Sequence, residues 1–300
     1  MKKYALFGLL SFTLYAHPGT ILRQIDTETG TKTISLLKLN PSVIFNTKSD
    51  PEIDYSKGIV DFDKSPGAVY LVPSVAVLDQ GNHGTCVTFA TIAAMDAVLG
   101  LGDEIDEQCF LELSVALNAS AWDGLWKSSE VIDPLVKYGA VRHGNCGSHH
   151  YPDPSAKISL DAYKALVDPS ILVAKVQYSY KEPMKIEEVK AALSAHHYVS
   201  IGFGLLNDGS AISAQGFDVE VDGSKKKGGL WACKQPSDAK NYCKKMQAGH
   251  EVLIVGYDDS QRLLKIQNSW NISSGNAGFY YMSYEFFAAM EINASEIWSN

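Results

Sequence analysis

Apolar positions recur at helical spacing in VTFATIAAMDAVL, directly after Cys86, and the run stops at Gly100, which predicts a helix opening on the cysteine. The same spacing predicts helices in ELSVALNASAW (112–122) and in SSEVIDPLVKYGAV (128–141), where Val131, Leu135 and Val136 share one face before Gly139. After about residue 166 the period changes. ILVAKVQYSY, HYVSIGFGLL, HEVLIVGYD, LLKIQNSW and GFYYMSYE read as strands, interrupted by one helix, MKIEEVKAALSA, with Ile186, Val189 and Leu193 on its apolar face. Near the start, TILRQIDTETGTKTISLLKLNPSVIFN (20–46) alternates polar and apolar positions on either side of TETG, which predicts a β-hairpin. A helix-rich part at about 78–165 and a strand-rich part at about 166–300 make an α+β arrangement, one domain of two lobes with a barrel-like sheet and a cleft between them.

The first residues, MKKYALFGLLSFTLYA, join two lysines to a short apolar stretch and end on a small residue, the pattern of a signal peptide over 1–16. That stretch is too short for a membrane span and no later run is long enough, so no stable membrane insertion is expected. The formal charge is −8, and loss of Lys2 and Lys3 with the leader makes it −10, which argues against nucleic acid as a partner. The exception is the lysine-rich segment 224–247, read as a solvated loop or as an exosite for acidic partners.

Chemistry concentrates in three blocks. QGNHGTCVTFA (80–90) sets Cys86 at a helix start six positions after Gln80. A free thiol near ~8.5 falls to roughly 3.5–7.5 when a helix N-terminus and a histidine act on it. AGHEVLIVGYDD (248–259) opens on His250, and KIQNSWN (265–271) ends its apolar run on Asn268; read as adjacent strands turned at DDSQ (258–261), they bring the two side chains across a strand pair. Alone, the cysteine fits a small buried hydrophobe as well as a nucleophile.

In this order the blocks resemble the papain-like cysteine peptidases: Gln80 with Cys86, His250 in G-H-x-V-x-I-V-G-Y, then Asn268-Ser269-Trp270. VDFDKSPGAV (60–69) is similar to the start of the mature enzyme in that family, and GNAGFYYMSYE (275–285) to its Gly-aromatic strand, so the resemblance covers about 60–285. It implies that Cys86 attacks the scissile carbonyl, that His250 carries the proton, that Asn268 orients the imidazole under Trp270, and that Gln80 and the Cys86 N–H hold the oxyanion. It also implies a substrate wall at Trp122, Asp123 and Gly124, with Gly249 opposite, a peptide or protein substrate, no cofactor, no metal, and a monomer. A peptidase domain over 61–300 follows, preceded by a prosegment at 17–60 that blocks the cleft or by a hairpin that stays attached and decorates the domain; family prosegments are longer and helical, whereas this segment reads as strands.

Several positions depart from the family. Val87 follows the nucleophile where tryptophan is usual, Asn271 follows Trp270 where glycine is usual, and a second family tryptophan is missing. Glu251 stands after His250 in place of a small residue; an acid so near would stabilise His250 as imidazolium or point to solvent, and strand alternation favours solvent. Setting Cys86 aside leaves four cysteines: Cys233 with Cys243 as a local pair and Cys109 with Cys146 as a longer tie, though three pairings are open, and zinc at Cys146, His149 and His150 is the lesser reading. Disulfides and a leader point to a secreted or periplasmic protein. Sequons stand at Asn118, Asn271 and Asn293, and a glycan at Asn271 would crowd Asn268, which favours bacterial export. The competing functions are a papain-like module that binds peptides without cutting them, and an amide acyl transferase or deamidase using the same acyl-enzyme.

Overall fold

The computed structural model describes residues 20–38, 53–71, 75–119, 121–146, 152–206, 216–232 and 246–300. The leader at 1–16, His149, His150, Cys233 and Cys243 lie outside the described residues.

Strand β8 (Met246–Asp258) is the longest and is paired along both edges. On one side it takes β5 (Tyr198–Leu206) antiparallel, with Phe203 opposite His250 and Gly202 opposite Glu251. On the other, β9 (Leu263–Gln267) returns antiparallel, with Leu253 opposite Gln267. Outward from these lie β11 (Glu291–Ser299) and β4 (Val176–Lys181) beyond β5, and β10 (Phe279–Ser283), β7 (Ser224–Trp231) and β6 (Phe217–Val221) beyond β9. All pairings along this path are antiparallel except β10 with β7. The short β3 (Ala68–Tyr70) pairs with the far end of β8.

Helix α1 (Cys86–Leu99) begins on the cysteine and closes on Gly100, whose φ of 66° is the left-handed cap that glycine adopts without strain. Its residues from Cys86 to Asp96 are all buried, so it is covered on every side. One side meets α2 (Glu107–Ala116) and α3 (Ser129–Tyr138), the other meets β8, β5 and β11. The remaining helices are α4 (Leu160–Leu166), α5 (Ile186–Ser194) and α6 (Tyr284–Met290). In α5, Val189 and Leu193 are buried and Ile186 packs against the same core, as the spacing predicts.

Two expectations are corrected. Val136 does not share the buried face of α3: it is 41% exposed, and Val131, Ile132 and Leu135 make that face instead. A step of three to four residues from Val131 reaches Leu135, and Val136 lies about 100° past it. The start of the lysine-rich segment is a strand: Leu230 and Trp231 of β7 are buried while Lys225 and Lys227 stay exposed. Strand β11 and helix α6 went unread, since EINASEIWS mixes polar and apolar positions and YEFFAAM continues an aromatic strand without punctuation.

The predicted N-terminal hairpin is present as β1 (Thr20–Thr27) and β2 (Gly30–Lys38). It is not a loose appendage. β2 adds to β8 at Leu37 opposite Gly249 and Lys38 opposite Ala248. Ile25, Ile34 and Leu36 enter the core formed by β5, β8, β9 and Trp270, whereas Leu37 enters the core around α1. Neighbouring strand residues point to opposite faces, so Leu36 and Leu37 wedge into the two cores on either side of β8.

A disulfide joins Cys109 of α2 to Cys146, 37 residues later, and Asp106 caps α2 while accepting from the N–H of Gly144. Closing a loop of this length stabilises by about 2–4 kcal/mol through the unfolded state. The variant Cys109→Ala with Cys146→Ala should lose that amount in denaturant unfolding. An unchanged midpoint would show that the Asp106 contacts alone order the loop.

Candidate active site

α1 presents Cys86 at its N-terminus, fully buried and the one free cysteine among the described residues. The thiol lies against the backbone of Glu251, the residue after His250, so the cysteine and β8 meet where the sequence blocks place them. Hydrogen bonds from the backbone of Glu251, Val87 and Cys86 favour the thiolate, but burial outweighs them and pushes the thiol up to about 12.

His250 Nε2–H donates to Asn268 Oδ1 at 2.7 Å, which leaves Nδ1 as the basic nitrogen; it is buried and has no partner among the described residues. The β8–β9 pairing makes this contact. Asn268 Oδ1 also accepts from the Ser269 N–H at 2.8 Å, which fixes the amide. Trp270 stacks on the imidazole with ring centres 4.4 Å apart, and Phe203 and Trp231 approach its edge at 5.9 and 6.5 Å. In this dry surround the imidazole is held down to about 4, burial exceeding the opposite pull of Asn268.

Gln80 is pinned beside Asn268 by a short backbone pairing: its N–H donates to the Ser269 carbonyl at 2.9 Å, and Asp79 bridges to Trp270. Ser269 Oγ donates to Gln80 Oε1 at 2.6 Å, and Gln80 Nε2 donates to the His83 carbonyl at 2.9 Å. With the oxygen occupied, the amide is oriented nitrogen-outward toward the loop leading into Cys86, with one N–H left to donate.

Of the expected wall, Trp122 gives its carbonyl to the Gly84 N–H, and Gly124 has φ of 108° with the Leu37 side chain filling the space a Cβ would need. Gly249 faces Leu37 across the β2–β8 pair. The hairpin therefore lies across this wall. Asp123 sits between them in a short turn.

Two features escaped the sequence. Trp231 of β7 stacks on Tyr280 at 4.4 Å and meets Trp270 edge-on at 6.1 Å, packing the surround that the missing second tryptophan leaves. No motif marks it, because β7 arrives from a distant segment. In the helical part, Asp103, Glu107 and His143 bring ligand-type atoms within 4.8 Å of one another, and the Glu107 carboxyl is buried with both oxygens unpartnered. Only the step from Asp103 to Glu107 is a local signal.

Glu251 is the correction that matters. It was expected in solvent, yet it is 2% exposed, because β8 is covered on both faces and alternation only moves a side chain from one core to the other.

The model of the papain family cysteine protease matches residues 217–298. Cysteine proteinase 2 of Entamoeba histolytica is 26% identical over 227 residues, 70% of this chain, and the match spans 60% of that protein's length. Among solved structures, xylellain, a cysteine protease from Xylella fastidiosa, aligns with a TM-score of 0.55 at 21% identity, covering 86% of this chain and all of that one. Digestive procathepsin L 3 of the Tenebrio molitor larval midgut aligns at 0.51 and 18%, covering 79% of this chain and 72% of that one.

With the thiol at about 12, alkylation of Cys86 by iodoacetamide in the intact chain should climb steadily into alkaline solution. A plateau of reactivity in the neutral range would show a thiolate already formed under the hairpin. The chain has the α+β fold of these papain-like cysteine proteases, and its strand-rich C-terminal part matches the papain family cysteine protease model over residues 217–298.

Proposed function

We propose that the chain is an exported cysteine peptidase made as a zymogen, with Cys86 as nucleophile and the hairpin as its own inhibitor. The observation that carries the chemistry is the His250–Asn268 bond under Trp270, which commits Nε2 and leaves Nδ1 as the basic nitrogen, while the Cys86 thiol lies against the backbone of the next residue, Glu251. Cys86 passes its S–H proton to Nδ1, and the sulfur attacks the peptide carbonyl carbon as the C=O electron pair moves onto oxygen. That oxyanion takes hydrogen bonds from the free Gln80 amide N–H and the Cys86 N–H, a kind of donor whose loss costs about 10²–10³ in rate. Collapse breaks the C–N bond, the imidazolium protonates the departing amine, and a thioester remains. Nδ1 then deprotonates water, which attacks the thioester and releases the acid and the thiol.

The substrate runs between the Trp122–Gly124 wall and Gly249, the place that Leu37 now occupies. That occupancy supports a prosegment within 17–60. The Tenebrio neighbour is itself a precursor form by its name. Further contacts hold the hairpin down: an ion pair of Lys32 with Asp79, and the Glu28 N–H on the Ser273 carbonyl at 3.0 Å. Under this cover both catalytic groups are driven to their neutral forms, so removal of the hairpin admits the solvent that an ion pair needs. A monomer with no cofactor suffices for this chemistry. The leader pattern and the Cys109–Cys146 disulfide support export, and the buried Asn293, which donates to the Trp126 carbonyl, suits a protein made without glycans.

Intact-mass labelling with an epoxysuccinyl inhibitor, before and after limited proteolysis of the N-terminal segment, tests both parts. Labelling of Cys86 only after trimming is the expected result, with none in Cys86→Ala. Leu37→Ala, which removes buried apolar surface worth about 2–5 kcal/mol, should speed labelling of the untrimmed chain. Equal labelling before and after would discard the inhibitory hairpin; none in either folded form would leave a peptide-binding module.

A further inference from the structure

Asp103, Glu107 and His143 come together because two short backbone segments are stitched to each other. Ile105 bridges to Arg142 in an antiparallel pair, the Asp106 N–H donates to the Val141 carbonyl at 3.0 Å, and the His143 N–H donates to the Glu104 carbonyl at 2.8 Å. This register sets His143 near Asp103, with Glu107, the first residue of α2, on the inner side. The charged groups around them are already engaged. Asp106 accepts from the N–H groups of Cys109 and Gly144 at 2.8 and 2.7 Å, Asp96 of α1 accepts from those of Glu104 and Ile105, and the Arg142 guanidinium is held by Glu104 and Asp168.

Glu107 has no such partner. It is 0% exposed, and among the described residues no other residue donates to either of its carboxyl oxygens. Asp103 Oδ1 is likewise buried without a partner. Burial, and after it the carboxylates of Asp103 and Asp96, push the Glu107 carboxyl well above its ordinary range, with its own backbone N–H opposing. Acidic groups drawn together in the interior without a counter-charge are costly, and either a proton or a cation removes that cost.

Independently of the peptidase reading, we propose that Asp103, Glu107 and His143 form a zinc-binding site that ties the start of α2 to the 141–146 loop. One oxygen from each carboxylate and one imidazole nitrogen make the donor set, and the exposed side at His143 gives a fourth tetrahedral position to water. An imidazole among the donors selects zinc over calcium and magnesium, which take oxygen ligands. Donor atoms on a tetrahedral zinc stand about 3.4 Å apart, so atoms now within 4.8 Å of one another need only a small closure, made by the less buried Asp103 and His143. The role is structural: Asp96, the α1 carboxylate that acts on Glu107, is ten residues along the helix from Cys86, about 15 Å at 1.5 Å per residue. The Cys109–Cys146 disulfide clamps the same loop to the same helix, and the zinc adds a second tie.

The test is calorimetric titration of zinc chloride into the full-length chain stripped with EDTA, carrying Cys86→Ala so that the thiol and His250 offer no competing site. One equivalent should bind, and the thermal midpoint should rise with zinc. Glu107→Gln and His143→Asn should each weaken binding by at least about tenfold and abolish the rise. Because His143 is exposed, His143→Asn reads the site even if Glu107→Gln does not fold. Zinc binding that neither variant weakens belongs to other groups and overturns the site, as does a folded chain that binds no zinc. Calcium at the same concentration should leave the midpoint unmoved; a response equal to that of zinc overturns the imidazole as a ligand. A metal-free Glu107→Gln chain more stable than its parent, together with a parent indifferent to zinc, would assign the cluster to a bound proton in place of the ion.

Discussion

The sharing of β8 between two cores is the constraint from which the rest follows. A strand buried on one face offers its alternate residues to solvent, and a site built on it uses every second position. β8 is covered on both faces, so three consecutive residues do three different things. Gly249 lies in the pairing with β2, His250 enters the aromatic surround of Trp270, Trp231 and Phe203, and Glu251 enters the side facing α1. The β9 return places Asn268 against His250, and the Gln80 segment is fastened to Ser269 by backbone, so three separated sequence blocks converge on one ladder.

The same covering governs the electrostatics. Around His250 the surround is aromatic, and among the described residues the polar partner on the ring is Asn268. Desolvation acts on acid and base in opposite directions: it raises the thiol of Cys86 and lowers the imidazole of His250, so both move toward neutrality. The hairpin contributes Ile25, Ile34 and Leu36 to the core that holds Trp270, and Leu37 to the core that holds Cys86. Its hold is apolar at Ile25, Ile34, Leu36 and Leu37, with Lys32–Asp79 at the edge adding the small increment of a partly exposed ion pair.

Much of this was legible in the chain. The α1 start at Cys86, the hairpin around TETG and the α5 face are local signals, set by periodicity and by Gly100 as a stop. The convergence of Gln80, Cys86, His250 and Asn268 was legible only as separated blocks in order. What escaped is what depends on tertiary cover. Val136 lies one residue past the buried face of α3 and is 41% exposed, and Trp231 reaches Trp270 from a segment whose lysines read as a loop. The Asp103, Glu107 and His143 group is assembled by the loop that the Cys109–Cys146 disulfide ties down, a relation no spacing rule contains.

Glu251 shows why alternation fails at such a strand. Period-two reasoning assumes that one face is wet, and under that assumption a glutamate beside a buried histidine belongs outside. With α1 packed on the second face there is no outside to reach, and the residue must find its partners in the core. Ser200 supplies one hydrogen bond, and Gly202, lying opposite Glu251 in the β5–β8 register, removes the side chain that would block the carboxylate. A glutamate facing a glycine, with an unpaired amide oxygen next to it, is poor packing for stability alone, since an apolar pair of the same volume would cost less. Burial then pushes the Glu251 carboxyl up to about 8, so at a doubly covered strand alternation carries a charged group into the core instead of out to water.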